Sequence, residues 1–392
     1  MRIHSHFQPI ISLTHRRVVG YEALLRASIA GQSCSPIEAF QRANLEGRIQ
    51  QFDRACISSH LQAFSQLTTE DQWLFLNLRS ETIHPDNHRS AFLKRFLERK
   101  GLGSERMVLE ILEDAIEDPQ QLKAFVEHYK AAGYLIAIDD FGTGASNFDR
   151  IWQLEPHIVK LDRSMLVNAR NNSKRQRWLA RCIALLRETG ALVLLEGVET
   201  EDDALLTLDS EADLAQGYYF ARPSADGAFE ETRLVDSIHG LHQQALKGQL
   251  QRHFAQLSKE KEIKNHLLQA AQALQSQGNF AQSTLALQNH PAIERVYLLN
   301  AQGVQTVENI CAADKKTAPI YRPLSKSVGA LWARRSYFRK ALEQPGQIQL
   351  SEPYLGLPDA SLDRTLSIAL QVGQPAQLLV LCADLPAAYL EP

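Results

Sequence analysis

The chain has 392 residues, of which 44% are hydrophobic and 22% charged. These are ordinary globular values, and the length suits two domains of roughly 100–200 residues each. The formal net charge of -3 leaves no basic footprint for DNA or RNA.

The five cysteines, Cys34, Cys56, Cys182, Cys311 and Cys382, are scattered, and none forms a Cys-x-x-Cys pair. That argues against a thiolate zinc site and a disulfide framework, and it favours a reducing compartment. No apolar run approaches the ~18–20 residues of a membrane helix. Met1–His6 has no signal-peptide core. The expectation is a cytoplasmic protein without a membrane span.

Over the first 230 or so residues, short apolar runs alternate with amphipathic stretches. The runs are Gln72–Asn77, Arg106–Ile111, Leu135–Asp140, Ile158–Asp162, Leu192–Gly197 and Leu214–Phe220. Runs without polar alternation predict strands buried on both faces, as in parallel sheets. Between them, Asp118-Pro119 opens a helix that Gly133 closes, with Leu122, Phe125, Val126 and Tyr129 at helical spacing. Strand–helix repetition means an α/β fold, either barrel or open sheet. Each run ends in, or runs directly into, a chemically useful side chain: Asn77, Glu110, Asp139 with Asp140, Lys160, Glu196 and Gln216. Six such endings point to one shared face, as the strand C-termini of a (β/α)₈ barrel provide. Trp73, Trp152 and Trp178 read as packing residues, and Phe220 as either a packing residue or a stacking platform for a base.

From about Phe229 to Gln277 the chain turns polar, with Leu234, Ile238, Leu241, Leu246, Leu250, Phe254 and Leu257 in a helical stripe. This predicts a helical connector, either a dimer seam or a helix docked on its own domain. Beyond it, strands are expected at Glu294–Asn300, Val304–Val307, Gln347–Leu350, Thr365–Val372 and Leu378–Cys382, with a helix at Arg335–Leu342. The predicted organisation is a barrel over 1–229, a connector over 230–278 and a smaller α+β domain over 279–392.

Glu22, Glu110, Asp139, Asp140 and Glu196, with the amide oxygen of Asn77, form an all-oxygen donor set. Singly, each is an ordinary surface carboxylate; their joint placement at strand ends carries the argument. Hard cations such as Mg²⁺ or Mn²⁺ take such ligands. Five carboxylates exceed the needs of one ion and repel one another without a counter-charge. Two ions per site answer both points and suit in-line phosphoryl displacement.

Several stretches also resemble the EAL-domain cyclic di-GMP phosphodiesterases. They are Phe7-Gln8-Pro9-Ile10, Tyr21-Glu22-Ala23-Leu24-Leu25-Arg26, Asn77-Leu78, Glu110-x-x-Glu113, Asp139-Asp140-Phe141-Gly142-Thr143-Gly144, Lys160-Leu161-Asp162, Glu196-Gly197-Val198-Glu199 and Gln216-Gly217-Tyr218. The resemblance covers roughly residues 4 to 223. It implies a barrel with one antiparallel strand near its start and cleavage of cyclic di-GMP to linear pGpG. By resemblance, Glu22, Asn77, Glu110 and Asp139 hold one ion, and Asp139, Asp140 and Glu196 hold or approach the second. Glu22, Lys160, Glu199 and Glu113 are the implied catalytic set, with Lys160 positioning the water and Glu113 anchoring the loop after Asp139. Gln8, Leu24, Arg26, Asp162 and Gln216 are the implied substrate contacts. A homodimer is implied as well. The alternative is a catalytically silent cyclic di-GMP receptor.

Residues 279–392 resemble a PAS/Cache-like sensory module, the alternative being a dimerisation domain without a ligand. Arg335, Tyr337, Arg339 and Tyr354 are candidates there for a small-molecule ligand.

Overall fold

The computed structural model describes residues 1–67, 71–78, 89–112, 119–143, 148–227, 231–311, 320–357 and 360–390. They divide into two compact units, Met1–Leu246 and Lys247–Pro392.

The first unit is a closed barrel. Its strands are β1 (Arg2–Ser12), β2 (Arg17–Ile29), β3 (Gln32–Cys34), β4 (Trp73–Leu78), β5 (Met107–Leu112), β6 (Leu135–Phe141), β7 (Ile158–Leu161), β8 (Leu192–Leu195) and β9 (Leu214–Ala215). The order β1-β9-β8-β7-β6-β5-β4-β2-β3 is closed by the β1–β2 pairing, so eight strands form the wall and β3 extends β2 as a hairpin. From β2 and β4 to β9 the neighbours run parallel. The short turn after Ser12 folds β1 back on β2, so β1 is antiparallel to both its neighbours. The expected barrel with one reversed strand is therefore present. Helices lie between the parallel strands. One is Pro119–Ala131, which buries Leu122, Val126 and Tyr129 as its spacing predicts.

The strands are shorter than the apolar runs suggested at two places. The run Leu214–Phe220 pairs only as far as Ala215, and Leu192–Gly197 only as far as Leu195. There the backbone leaves the wall to form the mouth. Gly217 passes so close to the next strand's loop that a Cβ would stand 2.0 Å from the Val198 carbonyl oxygen. Two tryptophans correct the sequence reading. Trp152 and Trp178 are 63% and 62% exposed, on the outer faces of their helices.

Inside the barrel, Ile10, Phe75, Val108, Ala137, Ile158, Leu194 and Leu214 form one apolar layer. Side chains in a strand alternate faces, so the next inward position lies two residues along. Those positions are Gln8 on reversed β1, Asn77, Glu110, Asp139, Lys160, Glu196 and Gln216. Glu22 likewise follows Gly20 on β2, opposite Gln8. A plug of apolar residues thus carries a complete polar layer at the strand C-termini.

The second unit has an antiparallel sheet of β10 (Arg295–Asn300), β11 (Gln349–Leu350), β12 (Tyr354–Leu355), β13 (Leu362–Val372) and β14 (Gln377–Pro386). Its order is β10-β14-β13-β11, with β12 also on β13. Val304 and Gln305 make isolated bridges rather than the expected strand. Ile263, Leu267, Ala270 and Leu274 of the helix Glu231–Gln277 pack on one sheet face with Val296, Leu298 and Leu381. Tyr337, Phe338 and Ala341 of the helix Ser336–Glu343 cover Tyr297, Leu299, Val380 and Cys382. No helix among the described residues is long and apolar enough to cross a membrane.

Candidate active site at the barrel mouth

Lys160 organises the polar layer. It sits on β7 with a side chain only 1% exposed, and its Nζ lies 2.6 Å from Glu110 Oε1, 2.8 Å from Glu196 Oε1 and 3.0 Å from Asp139 Oδ1. Glu22 Oε1 is farther, at 3.9 Å. Burial opposes the charge on Lys160, but Asp139, Glu110, Glu196 and Glu22 overcome it and hold the ammonium protonated.

The carboxylates are in the converse position. Burial pushes Glu110 well above the usual carboxylate range, against the pull of Lys160. Burial also lifts Glu196, to about 7, with Asp139 and Glu22 adding repulsion. Asp140 is raised by burial and by the charge of Asp139. One cation does not neutralise this ring of acids.

β6 brings two neighbouring acids to the same mouth. Successive strand residues normally face opposite ways. Here the β6–β7 register slips between Ile138 and Phe141, and Asp140 adopts a left-handed backbone with φ 57°. Its N–H donates to Asp139 Oδ1 at 3.0 Å. The bulge turns both carboxylates inward. One oxygen each of Asp139, Asp140 and Glu196 then lies within 4.8 Å of the other two.

Glu22 is held from two sides. Asn77 Nδ2 donates to Oε1 at 3.2 Å and Gln216 Nε2 to Oε2 at 2.7 Å. Gln216 Nε2 also reaches Gln8 Oε1 at 3.3 Å, and Gln8 donates to the Ala221 carbonyl at 3.3 Å. Gln8 and Gln216 therefore buttress Glu22 as well as facing the mouth. Beside this group, Leu24, Arg26, Asn77 and His60 line a cavity of about 240 Å³.

The oxygen set suits divalent cations. Glu110 is buried, and neither of its carboxylate oxygens has an aligned hydrogen bond. Lys160 Nζ stands 2.6 Å from Oε1 as an ion pair. A buried carboxyl with a single cationic neighbour is a position that a further cation satisfies. Lys160 itself occupies the middle of three carboxylates, as a positive charge would.

Two predicted residues are engaged elsewhere. Asp162 caps the helix Arg163–Ala169, its Oδ1 accepting from Ser164 N at 2.8 Å, while its charge still bears on Asp140. Glu199 pairs with Arg163 at 2.6 Å. Glu113 lies outside the described residues, as does Gly144. The sequence reading also missed Asp203. Fully buried, it binds Arg170 through both oxygens at 2.7 Å and accepts from Glu199 N at 3.1 Å. It thereby fixes the loop after Glu196. The signal was available as the capping box Thr200-x-x-Asp203.

In the second unit, Tyr337 is buried and hydrogen-bonded to Tyr297, and it stacks on Tyr354 at 6.0 Å. Arg335 lies 4.7 Å over the Tyr354 ring, and Arg339 is exposed. Asp384 accepts from Tyr297, Tyr354 and Thr365 and pairs with Arg295, which also pairs with Asp363. Three of the four sequence-selected residues thus belong to one packed aromatic cluster.

A closed barrel with one reversed strand and a mouth of acids, amides and one buried lysine defines a class. Residues 1–223 match the EAL domain family, and the chain belongs to it. It is 26% identical to the EAL-domain protein YkuI of Bacillus subtilis, over 98% of this chain and 94% of that protein. It is 30% identical to the cyclic di-GMP phosphodiesterase NbdA of Pseudomonas aeruginosa over 58% of this chain, but spans only 29% of NbdA. In fold it resembles the crystal structure of YkuI in complex with substrate c-di-GMP and calcium. The TM-score there is 0.83 at 24% identity, over 99% of this chain and 97% of that one. It also resembles Klebsiella pneumoniae BlrP1 in a manganese/cyclic di-GMP complex. That match has a TM-score of 0.52 at 27% identity, covering 57% of this chain and 56% of BlrP1.

Proposed function

We propose that this chain is a metal-dependent phosphodiesterase that hydrolyses cyclic di-GMP to linear pGpG. The observation that carries the proposal is the unbroken polar layer, in which Glu22, Asn77, Glu110, Asp139, Asp140 and Glu196 surround a buried Lys160. Relatives bearing the name of cyclic di-GMP phosphodiesterase, and solved relatives holding c-di-GMP with calcium or manganese, support the substrate class and a divalent cation.

In this reading the six oxygen-bearing residues hold two ions, Mg²⁺ or Mn²⁺. Bound there, the ions supply a water of lowered pKa and offset charge on the phosphodiester. The chain's own residues do the rest. Gln216 and Asn77 orient Glu22 through its two oxygens. Lys160 places one positive charge among Glu110, Asp139 and Glu196 and positions the attacking water beside them. Arg163 and Asp203 fix the Glu196–Glu199 loop. Leu24, Arg26 and Gln8 contact the nucleotide, and the cavity beside Asn77 admits part of it. Water is consumed, one P–O bond of the ring breaks, and the departing ribose oxygen leaves with a proton.

The proposal includes a cytoplasmic location, a sensory role for the second unit and a homodimer. The exposed Leu250, Phe254 and Leu257 recur at i, i+4 and i+7 on one helix, a spacing suited to a helix–helix seam.

The test is incubation of the full-length protein with cyclic di-GMP and Mg²⁺ or Mn²⁺, with chromatographic separation of products. pGpG should form, and should vanish with Glu22→Ala or EDTA. Tight nucleotide binding with no pGpG under either metal sinks the enzyme reading and leaves a receptor.

A further inference from the structure

The second unit brings together three side chains that the barrel chemistry does not use. Glu262 and His266 stand one turn apart on the helix Glu231–Gln277, and i,i+4 residues share a face. Between and beside them, Ile263 and Leu267 are fully buried in the core and fix that face. His290 enters from the turn between the helix Leu285–Gln288 and β10. One ligand atom from each residue lies within 4.8 Å of the other two. His290 Nε2 is already 3.7 Å from Glu262 Oε1, and the two imidazole rings are 5.0 Å apart.

A second observation points to a ligand. His266 Nδ1 is buried and has no hydrogen-bond partner. An imidazole with an orphaned ring nitrogen, beside a second imidazole and a carboxylate, belongs to a set of three lone-pair donors that a cation would use. The ring of Tyr389 stands edge-on to His290 at 6.2 Å and closes one side. Glu262, 60% exposed, leaves the other side open to solvent.

We propose that Glu262, His266 and His290 form a binding site for a borderline divalent transition-metal cation such as Zn²⁺, with a remaining position open to water. Two imidazoles and one carboxylate suit Zn²⁺ and its neighbours in the first transition series, whereas Mg²⁺ and Ca²⁺ prefer oxygen donors. His290 Nδ1 now accepts from Ala292 N at 3.2 Å. Taking the metal at Nε2 moves the ring proton to Nδ1, so that one long hydrogen bond is given up. The ion ties the last third of the long helix to the turn that leads into β10. Among the described residues, the barrel mouth offers no imidazole ligand in its metal cluster. The two sites are therefore separable by donor type.

Zn²⁺ bound to the full-length protein at one equivalent is examined by X-ray absorption at the zinc edge, alongside equilibrium dialysis. The spectrum should show outer-shell scattering from imidazole. His266→Gln and His290→Gln should each reduce that scattering and weaken Zn²⁺ binding at this site by at least ~100-fold, beyond the 10–100-fold typical of an outer-shell partner. Glu262→Gln, at a position 60% exposed, should weaken it in the same direction and decides the matter if either histidine variant misfolds. An all-oxygen zinc shell, or imidazole scattering unchanged in these variants, overturns the proposal. The second result would assign the metal to other histidines, such as the adjacent His4 and His6.

Discussion

Replacing Lys160 with Met tests whether the barrel mouth is held by charge or merely tolerates it. The substitution leaves an unbranched side chain one atom shorter and removes one positive charge from contacts of 2.6, 2.8 and 3.0 Å. At an effective dielectric of about 20, each such contact is worth roughly 5–6 kcal/mol before desolvation and carboxylate repulsion are subtracted. Most of that gross attraction cancels, and removing one partner of a buried ion pair costs about 3–5 kcal/mol in practice. For a unit of 246 residues, that corresponds to a fall in Tm of roughly 6–20 °C.

The pH dependence has a defined sign. Glu110 and Glu196 are raised above their unfolded values by burial, the latter to about 7. Acids raised in the folded state bind extra protons there, so they favour folding at low pH and lose that contribution as pH rises through the folded pKa. Without Lys160 both acids rise further, so the Met variant should lose more stability at pH 8 than at pH 5. The assay is chemical denaturation in EDTA, followed by tryptophan fluorescence, which reports mainly the barrel because three of the four tryptophans lie there. Adding Glu110→Gln to the variant should restore part of the loss, although the same change alone destabilises the parent. A loss below about 1 kcal/mol at both pH values, with no coupling between the two sites, would refute the reasoning.

His60, 7% exposed, is pushed down from 6.5 to about 4 by burial. A depressed folded pKa means full stability above pH 6.5 and progressive loss toward pH 4. The difference, 6.5 − 4 = 2.5 pH units, is worth about 3 kcal/mol, and a His60→Gln variant should flatten the stability profile over that range. The paired change Leu250→Glu with Phe254→Glu places charge on the exposed helix stripe. It should convert a dimer to monomer by sedimentation while leaving helix content unchanged by circular dichroism.

The barrel was legible because its apolar runs end on polar side chains at a fixed interval. Phe75 precedes Asn77, Val108 precedes Glu110, Ala137 precedes Asp139 and Ile158 precedes Lys160, each by one inward step of a strand. That two-residue step is local, so sequence carries it. The network about Glu22 is not local. Gln216 reaches it from 194 residues away, and nothing within either segment specifies that an amide hydrogen will face a carboxylate oxygen. The second unit shows the same limit. Tyr337 and Tyr354 stand out in the sequence as ligand candidates, but Asp384 and Arg295 draw the hydroxyls near them into a buried cluster, and only the β10–β14–β13 pairing brings those charges together. The exposed Trp152 and Trp178 show the converse. A large aromatic on a helix predicts burial from its size, yet which helix face meets the barrel depends on the neighbouring elements.

Asp140 joins these two kinds of information and gives the sharpest separation of conformation from chemistry. The dipeptide Asp139-Asp140 is visible in sequence, whereas the left-handed backbone that turns both carboxylates to one mouth is not. A non-glycine residue at φ 57° is strained, by roughly 1–2 kcal/mol for most side chains. Asparagine and aspartate tolerate it better than others. Asp140→Asn therefore keeps the backbone preference and removes the charge, whereas Asp140→Ala removes both. The Asn variant should retain the parent's stability in EDTA, or gain slightly, because the raised carboxyl and its repulsion with Asp139 are gone. It should bind Mn²⁺ more weakly in calorimetry and lose pGpG formation. The Ala variant should show the same metal defect plus a stability loss of about 1 kcal/mol. Equal stability of the two variants would mean that the bulge is imposed by the β6–β7 register alone. Unchanged Mn²⁺ affinity in both would remove Asp140 from the metal set.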